Sequence, residues 1–160
     1  MLGELDVFHV GLVTADLELA MKTIGENLGI AWAPVQQRTQ PVRTGAGESR
    51  DEPIIFTYSS DGPPHVELIQ STAGSLWEVT PPGCLHHIGA FADDVTVPPG
   101  PGMSLEFGGG HGEEPVGFAY WISPAGMRVE LVDGSRRNQF KAWFEGGDLR
   151  VARSPDGPTP

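Results

Sequence analysis

The sequence has little cysteine, few basic residues and no long apolar run. Its only cysteine, Cys84, cannot form a disulfide within the chain, and no cysteine-based metal motif is present. No apolar run approaches the roughly 18 residues that span a bilayer, so we expect no membrane-spanning helix. The first residues, Met-Leu-Gly-Glu-Leu-Asp, carry acids where a signal peptide carries bases, and we therefore expect a cytoplasmic protein.

The charge balance restricts the partners. Ten Lys and Arg residues stand against 21 Asp and Glu residues, giving a formal net charge of -11. Such a chain repels phosphate backbones and anionic lipids, so we expect neither nucleic acid nor membrane as a partner. The local group of Arg38, Arg43 and Arg50 offers an exception for an anionic substrate, but we interpret these residues as solvated loop arginines.

The first half of the chain predicts a strand, a helix, a loop and a hairpin. Residues 7–13 are apolar and β-branched, which is typical of a buried strand. The helix that follows has Thr14 or Asp16 as its cap and Gly29 at its end. Residues 34–53 are polar with scattered Pro and Gly, and we predict a mobile loop around a short strand near Val42. The apolar stripe expected to pack on a sheet is Leu17, Ala20, Met21, Ile24 and Leu28.

The second half predicts strands with no helix between the first two. Residues 85–92 predict a strand, but the Pro- and Gly-rich residues 98–102 cannot continue a helix after it. Three further strands are predicted at 103–107, 117–122 and 127–132. A short amphipathic helix then carries Phe140, Trp143 and Phe144 at helical spacing.

An internal repeat relates the two halves. Phe8-His9-Val10-Gly11 aligns with His86-His87-Ile88-Gly89 at an offset of 78 residues (9 to 87). Val66-Glu67-Leu68 aligns with Val129-Glu130-Leu131 at an offset of 63 residues (67 to 130). Each half therefore begins with a His strand and ends with a Glu strand, and the second half is shorter.

Strand alternation places the four repeated polar side chains on one face of the sheet. It predicts that His9, Glu67, His87 and Glu130 point inward while His86 points outward. Carboxylates flanked by aliphatic residues are costly to bury without a cation. Two imidazoles and two carboxylates are suitable ligands for Zn, Ni, Co, Mn or Fe(II), and these residue types do not choose among them.

The paired His-Val-Gly and His-His-Ile-Gly motifs, with the two Val-Glu-Leu strands, resemble the vicinal oxygen chelate superfamily of glyoxalases, bleomycin resistance proteins and dioxygenases. The resemblance covers residues 6–134 and is nearest to glyoxalase I and methylmalonyl-CoA epimerase. It implies an α+β fold in which two βαβββ modules form a curved, cupped mixed sheet around a metal, with the second helix shortened or lost. The family's four ligand positions fall on His9, Glu67, His87 and Glu130.

We therefore expect a single domain over residues 1–147. The first module covers about 5–72, the second about 84–134 and the C-terminal helix about 136–145, with a disordered tail at 148–160. Whether the modules close on each other within one chain or across a dimer is left open. Phe140, Trp143 and Phe144 either close the pocket or pack in a dimer interface.

The resemblance also implies the type of chemistry. Family lyases and epimerases use four protein ligands, whereas the extradiol dioxygenases use two His and one carboxylate, so Glu67 favours a lyase, isomerase or epimerase. Such an enzyme removes a proton next to a carbonyl of a small oxygenated metabolite, with Glu130, or else Glu67, as the base. The alternatives are an antibiotic-binding protein without catalysis and an Fe(II) dioxygenase.

Aromatic residues on the strands predict the walls of an apolar substrate pocket. The candidates are Trp77, Phe118, Tyr120 and Trp121. His65 and His111 lie beside predicted turns, and we expect both to be exposed.

Overall fold

The computed structural model describes residues 5–79 and 82–149. Eight strands and two α-helices follow one another along them. They are β1 Asp6–Thr14, α1 Leu17–Leu28, β2 Gln36–Thr44, β3 Ser49–Tyr58, β4 His65–Gln70, β5 Leu85–Ala92, β6 Ser104–Gly109, β7 Phe118–Ile122, β8 Arg128–Asp133 and α2 Arg137–Phe144. A single 3-10 turn, Gly134–Arg136, leads into α2.

The strands close into one barrel in the order β1-β4-β3-β2-β6-β7-β8-β5. In each half the first strand pairs in parallel with the last, β1 with β4 and β5 with β8. Antiparallel pairing of β1 with β5 and of β2 with β6 joins the halves. The expected α+β fold with a curved mixed sheet built from two modules is confirmed, and closure gives both modules one shared interior.

Helix α1 has the predicted ends. The Asp16 side chain accepts a hydrogen bond from the Leu19 amide at 2.9 Å, and Gly29 ends the helix with a φ of 67°. This left-handed conformation carries little penalty for glycine. The predicted apolar stripe is only partly covered, because Leu17 is buried whereas Leu28 is 70% exposed.

The prediction of a mobile loop over residues 34–53 was wrong. These residues supply β2 and the first part of β3, which pair along their length from Gln36 opposite Phe56 to Arg43 opposite Ser49. Polar residues and prolines obscured the strands because local composition carries little information on which segments pair. Val42 is fully buried, while most of its neighbours along β2 face partly outward.

A loop takes the place of the helix that the second module lacks. Residues 93–103 form only turns and bends, as their prolines and glycines predicted. Val95 in this segment packs beside the outward faces of β5, β7 and β8. We call this group the outer cluster, and its buried members are Ala90, Val95, Ala119, Trp121 and Leu131. This loop between β5 and β6 therefore covers the sheet at the position where the first module has helix α1.

Helix α2 packs against the larger of the two hydrophobic clusters. Phe140 and Trp143 are 5% and 0% exposed, and the Trp143 Nε1 donates a hydrogen bond to the Pro34 carbonyl at 2.9 Å. Of the predicted disordered tail, Leu149 is buried, and residues 150–160 lie outside the described residues. Within the part of the chain that the structure describes, no helix has the length and apolar character needed to cross a membrane.

Candidate metal centre

Four strands at the junction of the halves each supply one polar side chain. His9 lies on β1, Glu67 on β4, His87 on β5 and Glu130 on β8. These strands are neighbours in the barrel, with Gly11 opposite both Glu67 and His87 and Gly89 opposite both Glu130 and His9. The pairing brings the side chains of His9, Glu67, His87 and Glu130 together within one chain.

The donor atoms of this group converge closely. The Nε2 atoms of His9 and His87 are 2.9 Å apart. The Glu67 Oε2 lies 3.0 Å from the His87 Nε2 and 3.5 Å from the His9 Nε2. The Glu130 Oε2 lies 3.0 Å from the His9 Nε2 and 3.3 Å from the His87 Nε2. Ligands that each lie about 2.0–2.2 Å from one ion are separated by roughly 3 Å, so the spacing fits a single divalent cation.

The burial of these groups also fits a cation. His9 and His87 are 0% and 1% exposed, and Glu67 and Glu130 are 4% and 8% exposed. Among the described residues, the Oε2 atoms of both glutamates and the Nδ1 of His9 have no hydrogen-bond partner. Buried carboxylate oxygens without partners are strongly destabilising unless a charge compensates them. The four residues are therefore a candidate set of metal ligands.

The charges of the metal-free site are strongly coupled. Burial opposes protonation of His87, but its contacts with the carboxylates of Glu130 and Glu67 outweigh burial and raise the pKa of His87 to about 9. Burial acts against ionisation of Glu130, yet contacts with His87 and His9 hold the pKa of Glu130 well below its usual range. The metal-free site thus favours an ionised Glu130 beside a protonated His87.

Two glycines make room for the histidines. A Cβ added at Gly89 would lie 1.7 Å from the His9 Cε1, and one added at Gly11 would lie 2.0 Å from the His87 Cε1. Each glycine thus accommodates the imidazole supplied by the other half. Neither glycine was among the predicted site residues, although the repeated His-x-Gly spacing was the available signal.

Two tyrosines occupy matching positions in the two halves of the chain. Tyr58 lies opposite Glu67 in the pairing of β3 with β4, and Tyr120 lies opposite Glu130 in the pairing of β7 with β8. Burial, followed by the charges of the two glutamates, raises the pKa of each tyrosine well above its ordinary value. Both hydroxyls stay protonated, and the Tyr58 hydroxyl lies 3.3 Å from the His9 Nε2. Tyr58 was not among the predicted site residues.

The outward position predicted for His86 was wrong. His86 is 6% exposed, and its Nδ1 lies 3.0 Å from the His87 Nδ1. The register between β1 and β5 shifts at this point, so Leu12 pairs with Leu85 and skips His86. This bulge breaks the alternation on which the prediction rested. For the His87 Nε2 to bind a metal, its Nδ1 carries the hydrogen and donates it to His86.

A cavity of about 480 Å³, its opening to solvent included, adjoins the candidate ligands. Its wall includes Glu67, Glu130 and three of the four predicted pocket residues, Trp77, Phe118 and Tyr120. The fourth, Trp121, lies on the other face of β7 in the outer cluster, where its Nε1 donates to the Val95 carbonyl at 3.2 Å. Successive side chains of a strand alternate, so Tyr120 and Trp121 cannot face the same space.

The cavity wall also contains one of the arginines that were predicted to be solvated. Arg38 is half-buried and lines the cavity together with Arg136, so the interpretation of Arg38 as a solvated loop residue was wrong. Arg43 does not line this cavity, and Arg50 is paired with Glu52 at 2.7 Å. Local composition gave no signal for Arg38 because β2 was not predicted over its full length.

The other two histidines lie apart from the four donors. His65 is 7% exposed and its Nδ1 donates to the Ser59 carbonyl at 2.8 Å, so its predicted exposure was wrong. Its ring stacks on Phe144 with centroids 3.9 Å apart. His111 is exposed as expected and lies 2.9 Å from Asp51.

Comparisons with known proteins identify related sequences and folds. A family model described as the Glyoxalase/Bleomycin resistance protein/Dioxygenase superfamily matches residues 8–97. Methylmalonyl-CoA epimerase from Mycobacterium tuberculosis superposes with a TM-score of 0.56 at 17% identity, covering 83% of this chain and 92% of that one. A hypothetical protein from Bacillus halodurans C-125 gives a TM-score of 0.51 at 12% identity, covering 82% and 95%. No curated protein matches significantly.

Proposed function

The chain belongs to the glyoxalase/bleomycin resistance protein/dioxygenase superfamily, and we propose that it is a divalent-metal-dependent lyase, isomerase or epimerase. The proposed reaction removes a proton from the carbon next to a carbonyl of a small oxygenated metabolite. The observation that carries the proposal is the convergence of two imidazole nitrogens and two carboxylate oxygens within 4.8 Å of one another.

The four donors His9, Glu67, His87 and Glu130 would hold one ion of Zn, Ni, Co, Mn or Fe(II). Their mixed nitrogen and oxygen set suits these ions. Such an ion, when bound, polarises a carbonyl oxygen and makes the neighbouring C–H more acidic. The ion thereby supplies charge stabilisation, and the protein must still provide a group that accepts the proton.

We assign the proton transfer to Glu130. Its side chain is 10% exposed against 5% for Glu67, and both glutamates line the cavity. The Glu130 carboxylate is ionised, so its oxygen can accept a proton from a substrate seated in the cavity and return it to the same face of the resulting intermediate. Glu67 is the alternative base, and in that case Glu130 remains a ligand.

The surrounding residues would hold the substrate and limit water. Trp77 and Tyr120 are 1% and 2% exposed and form part of the cavity wall. The protonated hydroxyls of Tyr58 and Tyr120 are suited to donate hydrogen bonds to substrate oxygens or to the glutamates. Buried wall residues of this kind strengthen such electrostatic contacts relative to water.

The first test measures metal content. Protein purified without chelators or an affinity tag is expected to hold about one equivalent of a divalent metal by elemental analysis. His87→Ala is expected to lose it because this substitution removes one of four ligands. His111→Ala is the matched control, since His111 is exposed and lies away from the cluster. No bound metal in the wild type, even after each ion is supplied in excess, would favour a binding protein over the enzyme.

The second test measures the reaction type. The metal-loaded protein is incubated in D2O with a panel of 2-oxo acids, acyl thioesters and hemithioacetals, and ¹H NMR follows loss of the α-proton signal. We expect exchange with at least one class and none after metal removal. O2 uptake with catechols and Fe(II), without α-proton exchange, would instead identify a dioxygenase.

A further inference from the structure

Two guanidinium groups line the same cavity as Glu67 and Glu130. Arg38 comes from β2 in the first half, and Arg136 comes from the turn before α2. The Arg38 Cζ lies 5.3 Å from the centre of the Phe56 ring, and the Arg136 Cζ lies 5.3 Å from the centre of the Phe140 ring. Both aromatic residues also line the cavity, so each cation is packed against its wall.

Burial disfavours the charged form of both arginines. Burial, and then the charge of Arg136, lowers the pKa of Arg38. Burial also lowers the pKa of Arg136, against the opposing effect of Glu130. A guanidinium nevertheless stays protonated, because its ordinary pKa is above 12. Two like charges are therefore held near each other at a partly dehydrated surface, which an anion between them would stabilise.

The bonds that Arg38 makes within the protein leave much of its donor capacity. Its Nη2 donates to the Gln36 Oε1 at 2.7 Å and to the Leu149 carbonyl at 3.1 Å, both neutral acceptors. Across residues 5–79 and 82–149, no carboxylate lies within ion-pair distance of Arg38. Arg50 and Arg128, in contrast, are ion-paired with Glu52 and Glu106 at 2.7 Å.

We propose that Arg38 and Arg136 together bind an anionic group, a carboxylate or a phosphoryl group, of the molecule that occupies the cavity. A guanidinium offers paired N–H donors whose spacing matches both groups, which makes arginine the preferred side chain for them. This inference rests on the proposed function, because it assigns one end of the same substrate. The substrate class is then a small oxygenated metabolite with one end at His9, Glu67, His87 and Glu130 and a separate anionic end at the arginines.

The net charge of the protein gives this pair a selective role. The chain carries a formal charge of -11, so an anion is repelled by most of the surface. Arg38 and Arg136 offset that repulsion at one part of the cavity wall, which also carries Glu67 and Glu130. Gln40 also lines this wall beside the arginines.

The test is calorimetric titration with three small probes: inorganic phosphate, malonate and uncharged malonamide. Titrations use protein stripped with a chelator and then desalted, and protein reloaded with zinc. The stripped protein separates anion binding from metal binding, so this proposal and the proposed function can fail independently. The variants are Arg38→Met, Arg136→Met and Arg38→Lys. Arg43→Met is the control, since it removes the same charge from the same strand without lining the cavity.

We expect wild-type protein to bind phosphate or malonate and not malonamide. Each Met substitution at the pair is expected to weaken anion binding roughly 10- to 100-fold, in line with charge-assisted hydrogen bonds. Arg38→Lys should retain part of the affinity, and Arg43→Met should bind within about twofold of wild type. Thermal unfolding of every variant checks that it is folded.

Three results would overturn the proposal. They are the absence of anion binding in both forms of the wild type, equal binding of malonamide, and an equal loss in Arg43→Met. If zinc does not bind but the anion still does and depends on both arginines, the anion site stands and the proposed metal chemistry fails.

Discussion

The steric role of Gly89 leads to a sharp prediction. In Gly89→Ala the new methyl group would lie 1.7 Å from the His9 Cε1, whereas carbon atoms in contact are separated by about 3.5–4.0 Å. Relief therefore requires a displacement of about 2 Å. The His9 ring has little room to swing away, because it contacts the rings of Phe8, Tyr58 and His87 with centroids 4.4, 4.9 and 5.0 Å away.

A displacement of this size affects metal binding more than the fold. Metal–ligand distances are tolerated within roughly 0.2 Å, so a shift of about 2 Å removes His9 from the coordination sphere. Overpacking of a buried site costs about 1–3 kcal/mol, which the remaining barrel can withstand. Gly89→Ala is therefore expected to stay folded, to lose its bound metal, and to melt about 2–4 °C lower for each kcal/mol.

The assay combines elemental analysis, circular dichroism and thermal unfolding with and without added metal. Gly112→Ala is the control, because a Cβ there would meet nothing closer than the Glu114 carbonyl oxygen at 3.8 Å. The control should retain its metal and its melting temperature within about 2 °C, since exposed substitutions change stability by roughly 0.5 kcal/mol or less. Full metal occupancy in Gly89→Ala would refute the steric argument, and loss of the fold together with the metal would show that the barrel cannot absorb the overpacking.

Three further measurements examine the centre and its support. Glu130→Gln is expected to slow α-proton exchange by roughly 10²–10⁴-fold in the NMR assay, and undiminished exchange in the metal-loaded variant would contradict its role as base. Trp121→Ala should lower the free energy of unfolding, measured by denaturant titration, by about 3–5 kcal/mol, and the variant should retain its equivalent of metal. Loss of the metal would mean that Trp121 contributes to the site. Chelation should lower the stability of the wild type by about 2.7 kcal/mol relative to protein at a free metal concentration of 100 Kd, and an unchanged melting curve would argue against a bound ion.

The sequence predicted the strands that carry the candidate ligands because each carries two signals. The strands around His9 and His87 are apolar runs. Each also carries the His-x-Gly motif, and its occurrence in both halves of the chain supports the assignment. Nothing comparable marked β2, whose residues are polar and interrupted by Pro41. Its strand character comes from pairing with β3 and β6, which depends on residues distant in sequence. The predicted loop was wrong for that reason.

The site shows the same division between local and long-range information. Alternation placed His9 and Glu67 on one side of the sheet, but it failed at His86, where a bulge depends on the register with β1. Arg38 lines the cavity because β2 forms and α2 packs nearby. Composition alone therefore could not distinguish Arg38 from Arg43. The aromatic residues were all predicted to line the pocket. Side-chain alternation along β7 places Tyr120 in the cavity and Trp121 on the opposite face of the sheet.

The pairing of the halves explains why the second module can contribute to the centre without a helix between β5 and β6. The four donors come from β1, β4, β5 and β8, and each His strand supplies the glycine that accommodates the histidine of the other half. Neither module alone brings more than one His and one Glu together, so the site depends on the pairing of β1 with β5. The helix of a module lies on the outer face of the sheet, where coverage of apolar side chains is sufficient. Val95 and its loop provide that coverage, and the interior geometry is set independently of the outer layer.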